Sequence, residues 1–245
     1  ILFLFSLAVV ALVAYRLLAW INRLGDLARV GHMIELVEAE ARKALLQRGK
    51  QPRLGGVEGA LPHAPAVAST RTDYVQNVDM SALEALAQAG DGHIDLEALP
   101  GAFVRRGDAL CRTTLDVERD SCRERICKAF VIGANRSFEQ DLRFGLVVLG
   151  EIAAKALSPG VNDPGTAIQV IGSGVRLLDQ WSRTTPEDEP SRARLFVPLL
   201  DPDDLLEDIF GPVAGDTRRA PGLAQPAFWL GFAMSGFFDG VLLHQ

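Results

Sequence analysis

Four short polar side chains, Ser158, Asn162, Asp163 and Thr166, crowd one nine-residue elbow between two apolar helical patterns. Two kinds of chemistry suit such a cluster. The N–H groups at the start of the second helix carry partial positive charge and could hold an anion, although Asp163 would oppose it. Alternatively, Asp163 and nearby carbonyls could hold a cation. The same residues also suit a purely structural role. Asp163 can cap the second helix, Pro164 can occupy its first position, where a missing N–H costs nothing, and Ser158 and Asn162 can fix the turn. Arg136, Gln140 and Asp141, about one helix upstream, form either a polar network supporting the site or a solvated face.

Catalysis is the less favoured reading, because no catalytic signature is found. The chain has no Gly-x-Ser-x-Gly, no phosphate-cradling glycine loop, no His-Glu-x-x-His and no paired cysteine motif. Asp141 and Glu151 are ten residues apart, about 15 Å by helical rise, too far to act as a carboxylate pair on one helix. The cysteines, Cys111, Cys122 and Cys127, number three and lack zinc-site spacing. Neither a metal nor a cofactor is therefore expected. A net charge of −6 and an isoelectric point near 5.3 argue against a nucleic-acid partner.

The elements that would position the elbow follow from apolar spacing. Phe138, Leu142, Gly145, Leu149, Ile152 and Ala156 mark one face of a first helix, broken at Ser158-Pro159-Gly160. Ile168, Val170, Ile171, Val175, Leu178 and Trp181 mark a second helix beginning at Pro164. Upstream, Leu27, Val30, Ile34, Val37, Ala41 and Leu45 recur at helical spacing, with His32 read as an ordinary surface or core residue. Tyr74–Asp79 and His93–Leu96 alternate as strands, and Met80–Ala89 reads as a short helix. Gly101-x-x-Val104-x-x-Gly107-x-x-Leu110 resembles half of a lipoyl-type barrel-sandwich, without a lysine placed to carry a swinging cofactor.

Mean hydropathy is +0.14 although 23% of residues are charged, and the excess apolarity lies at the ends. Ile1–Ile21 is almost uncharged and reads as a membrane-spanning helix, followed by Arg23 and Arg29. With Arg16, these put the next domain in the cytoplasm by the positive-inside tendency. Phe228–Leu243 reads as the opening of a second membrane segment, with Gly236 and Gly240 as a small-xxx-small pair. The first residue is Ile, so the chain is expected to begin inside a longer protein.

The stretch Arg136, Gln140-Asp141, Phe144-Gly145, Ile152-Ala153, Ala156–Gly160, Asn162-Asp163-Pro164 and Thr166-Ala167 resembles the bacterial predicted membrane protein family known as domain of unknown function 2254. Tyr74-Val75-Gln76 with Asp79, Pro100–Val104, and Asp204–Phe210 resemble further blocks of that family, so the resemblance covers about residues 1–215. It implies several N-terminal membrane helices, a large soluble domain and a plasma-membrane location, but no reaction. The C-terminal end, through Gly231-Phe232, Gly236–Gly240 and Leu243-His244-Gln245, resembles the start of a different predicted membrane protein family. A fusion or, preferentially, a broken or incomplete reading frame would produce such a junction.

The resulting expectation is a membrane-anchored α+β protein. It comprises a transmembrane helix (1–21), an amphipathic cytoplasmic helix (22–48), a linker (49–70), a small β-rich module (71–135), a helical hairpin region (136–210), a linker (211–227) and a second membrane segment (228–245). The expected role is regulatory or ligand-binding, with the bilayer, a small ionic ligand and a second copy of the chain as partners. The alternative is a channel or transporter component gated by the soluble domain, for which Asp239 and His244 are the intramembrane ionisable groups; a membrane-bound enzyme ranks below both.

Overall fold

Two separate apolar cores organise the chain in a computed structural model that describes residues 9, 11–13, 15–17, 30–118, 120–186 and 192–217. The first core is built on β-structure. Strands β1 (Gly56–Val57), β2 (Ala66–Ala68), β3 (Asp73–Val78), β4 (Ile94–Leu96), β5 (Phe103–Val104), β6 (Ala109–Thr113), β7 (Phe130–Gly133) and β8 (Arg192–Phe196) form two sheets. One has the order β1-β8-β4-β6-β2 and the other β5-β3-β7. β8 runs parallel to both β1 and β4, and the other pairings are antiparallel. Helices α1 (Val30–Lys50), α2 (Met80–Ala89) and α3 (Asp120–Ala129) come next in chain order, and α2 packs on β8 and α3. Val75, Leu83, Ile94, Leu110, Ile126 and Leu195 are fully buried in this core.

The second core is helical. Helix α4 (Leu142–Leu157) packs against α1, α5 (Pro164–Ser182) and α6 (Pro202–Thr217), and α5 also packs on α1, together burying Ile34, Leu45, Leu146, Leu149, Val170, Leu177 and Leu205. Close approach depends on small residues. A Cβ on Gly145 would overlap Ala41 of α1, and one on Gly150 would sit 2.7 Å from the Asp208 carbonyl of α6.

The membrane-anchored part of the expected fold needs correction. Among the described residues no helix is long and apolar enough to cross a membrane. α1 has 21 residues, but Glu35, Glu38, Glu40, Arg42, Lys43, Arg48 and Lys50 make it far too polar. α4, with 16 residues, covers only about 24 Å against a hydrocarbon thickness of about 30 Å. α5 carries Arg176 and Asp179 within its 19 residues. The segment 228–245, and all but seven residues of 1–21, lie outside the described residues.

Two further parts of the architecture differ from expectation. The expected hairpin forms as α4 and α5, and it is extended to a four-helix cluster because α1 and α6 both pack against it. The glycine-spaced stretch is not one half of a barrel-sandwich, since it divides between the two sheets. β5 joins β3, Gly107 turns the chain at φ +98°, and β6 joins β4 and β2. β1 and β2 lie within 49–70, and β8 lies within 136–210.

The buried face of α1 includes two charged residues that apolar spacing alone passes over, Glu38 and Arg48, whereas Val30 is exposed. Glu38 is neutralised across the helix interface. Its Oε2 accepts from Arg176 Nη2 at 2.7 Å and its Oε1 from Arg42 Nη2 at 2.7 Å. The Arg176 bond, with help from Ser173 and Arg42 and against burial, holds the Glu38 carboxyl below the usual glutamate range. A depressed carboxylate stabilises the fold above its unfolded-state pKa and loses that contribution as pH falls through the folded value. Thermal unfolding of wild type and Glu38→Gln between about pH 2 and 6 should therefore show a steeper acid loss in wild type. At neutral pH the variant should be weaker by roughly 1–3 kcal/mol.

Candidate functional site

The elbow forms as its residue types require. Asp163 caps α5, its Oδ1 accepting from Thr166 N at 3.2 Å and its Oδ2 from Thr166 Oγ1 at 2.6 Å. Those bonds hold its carboxyl below the usual aspartate range. Ser158 Oγ donates to the Lys155 carbonyl at 2.6 Å. Asn162 takes the left-handed conformation at φ +50°, which asparagine tolerates better than most residues. Asn162 and Asp163 are exposed, Ser158 and Thr166 half-buried. The elbow's side-chain oxygens from Asp163 and Thr166 are thus engaged with each other.

Arg136, Gln140 and Asp141 lie at the other end of α4, about 24 Å from Ser158 along the helix. Asp141 is 1% exposed. It accepts from Arg136 Nε at 2.6 Å and Nη2 at 2.9 Å, and caps α4 through Phe144 N at 3.2 Å. The guanidinium also lies over the Phe144 ring, 5.2 Å from its centre. Gly101, at φ +95°, fits against this carboxylate where any Cβ would collide with it. Gln140 bridges to the other core: its Oε1 accepts from Val78 N at 2.9 Å and its Nε2 donates to Val78 O at 3.3 Å. The structure therefore brings these three together at the seam between the cores and keeps them apart from the elbow.

Two cavities open along that seam, of about 400 and 410 Å³, and Arg48 and Gln140 line both. The first lies among α1, the start of α2 and β7, with Lys128, Arg192, Asp79 and Glu139 as its other charged residues. The second lies between the Gly101 turn and α6. There Arg136 is matched to Asp141, and Arg143 to Asp204 and Asp208 at 2.8 and 2.6 Å.

Arg48 stands out in this setting. It is 6% exposed, its Nε has no hydrogen-bond partner, and among the described residues no ion pair or hydrogen bond of its guanidinium is present. Burial pulls its pKa down to about 10, which still leaves it protonated at neutral pH. Its position could have been found from sequence, because it follows Ala41 and Leu45 on the buried stripe at helical spacing. The Arg143 pairs with α6 had no comparable local signal.

The seam offers binding groups, Arg48 and Gln140 in both cavities. Among the described residues no three His, Cys, Asp or Glu side chains converge to hold a metal. The three cysteines are free thiols, and burial pushes Cys111 well above the usual thiol range. Removing the Asp141 charge by Asp141→Asn would strand Arg136, so a loss of about 3–5 kcal/mol in chemical denaturation is expected. Asp163→Ala, at an exposed cap, should cost much less.

The chain matches an uncharacterised protein of Mycobacterium bovis at 36% identity over 117 residues, covering 45% of this chain and 22% of that protein. Uncharacterised proteins from two Mycobacterium tuberculosis strains match over the same length at 36% and 35%, with the same coverage. The matched part of this chain spans about a fifth of those relatives' length. No solved structure matches the chain. The family of predicted membrane proteins designated DUF2254 matches residues 1–226, slightly beyond the extent that the motifs suggested, and the chain belongs to that family.

Proposed function

We propose that the domain described here is the ligand-binding, regulatory part of a membrane protein, with its site at the seam between the two cores. The observation that carries this reading is Arg48, a buried cation without a partner among the described residues, lining two cavities of about 400 Å³. Volumes of that order suit small-molecule ligands. Position supports it as well. Gln140 ties β3 to the start of α4 and Arg143 ties α4 to α6, so a ligand wedged at the seam would act on the relative placement of both cores. Segments remote in the chain converge there, including Pro100-Gly101-Ala102, Gln140-Asp141 and Asp204. A ligand at the Ser158–Thr166 elbow would first have to displace the Asp163–Thr166 bonds. Arg16 late in the N-terminal apolar run, and Arg23 and Arg29 after it, support a cytoplasmic face for this domain.

A thermal-shift screen of small metabolites on the detergent-solubilised full chain tests the reading. Val131 lines the first cavity from an exposed position on β7, so Val131→Trp should obstruct the cavity with little effect on the unliganded melting temperature. A true ligand should raise Tm by several degrees in wild type and lose most of that effect in the variant. A shift of equal size in both proteins would contradict the proposed site.

A further inference from the structure

We infer that Arg48 anchors the anionic group, a carboxylate or phosphate, of a small ligand seated in the first cavity. This inference rests on the seam being the ligand site and adds the chemical class that the site takes.

A buried guanidinium with no counter-charge is a costly arrangement, because the lost hydration is not replaced by any partner in the fold. Arginine presents a planar fork of donors matched to carboxylate and phosphate oxygens. An anion bound there would supply the missing acceptors. Of the two cavities that share Arg48, the first suits an anion better. In the second, Arg48, Arg136 and Arg143 face four carboxylates, Asp141, Asp201, Asp204 and Asp208. In the first, Arg48, Lys128 and Arg192 face two, Asp79 and Glu139. Asp79 is turned to its own helix, capping α2 through Ala82 N at 2.9 Å, and Glu139 is exposed. Met80 and Ser81, at the start of α2, also line this cavity. The N–H groups of a helix's first turn have no carbonyl within the helix to bond, and their partial positive charge adds to that of Arg48. Lys128 bonds Glu124 at 2.7 Å and Arg192 donates to the Leu54 carbonyl at 2.8 Å. Arg48 is therefore the cation left for the ligand.

The experiment compares melting temperatures of the detergent-solubilised full chain in low-millimolar sodium phosphate, sodium citrate and sodium chloride at matched ionic strength. Wild type should melt about 3 °C or more higher in phosphate or citrate than in chloride. Phosphate alone would identify a phosphate-type ligand, and citrate alone a carboxylate-type one. Arg48→Met should be at least as stable as wild type in chloride, because it removes an unpaired buried charge, and should lose the anion response. Arg48→Lys should keep part of it. If Arg48→Met does not fold, Arg48→Gln serves for the same comparison. Equal melting of wild type in all three salts, or an undiminished response in the Arg48 variants, overturns the inference. A neutral ligand blocked by Val131→Trp but indifferent to Arg48→Met would sink the anion anchor and leave the cavity reading standing. If no compound of any charge shifts wild type, both fall.

Discussion

Asp141 is the residue through which the two halves of this domain are held in one arrangement. Its carboxylate accepts two bonds from Arg136, caps α4, and fills the space that Gly101 leaves by having no side chain. Each role alone is ordinary. Together they fix where the helical core begins relative to the turn at residues 100–102 in the β-built half. Gln140, the preceding residue, clamps the backbone of Val78. A carboxylate so deeply buried is tolerable only with these partners, which makes the junction intolerant of single changes.

Arg48, which lines the second cavity together with Asp141, is the counterexample. The same seam that satisfies Asp141 leaves the buried Arg48 guanidinium without an acceptor among the described residues. The contrast matters because native folds pair almost all their buried polar groups. An exception beside an open cavity points to a partner that is not part of the fold, and the excess of cations in the first cavity defines its sign. The elbow at Ser158–Thr166 shows the opposite economy: its polar groups close on each other at the exposed end of the bundle.

Local signals in the sequence were the readable ones. Asp163 followed by Pro164 announces a helix start without any tertiary information, and α5 begins there. Asp141 plays the same part for α4 but has no proline after it, and Phe138 continues the apolar spacing upstream, so the first helix looked longer than it is. Met80–Ala89 was likewise readable from its period. The placement of β8 was not, because its parallel pairing with β4 joins residues about a hundred positions apart, and no local pattern encodes that. The charges on α1 were hidden for a related reason. Glu38 and Arg48 look like solvated residues until α5 and the seam close over them. The apolar ends, from which a membrane-anchored fold was read, contribute no spanning helix among the described residues, while the family itself is described as one of predicted membrane proteins.

The unpaired guanidinium of Arg48 points to an anion from outside the chain. A density map of the full chain determined in the presence of phosphate or citrate would show whether that anion binds there. Non-protein density is expected within hydrogen-bonding distance of the Arg48 guanidinium, in the cavity beside the start of α2. A carboxylate from another part of the chain seated on that guanidinium would contradict it.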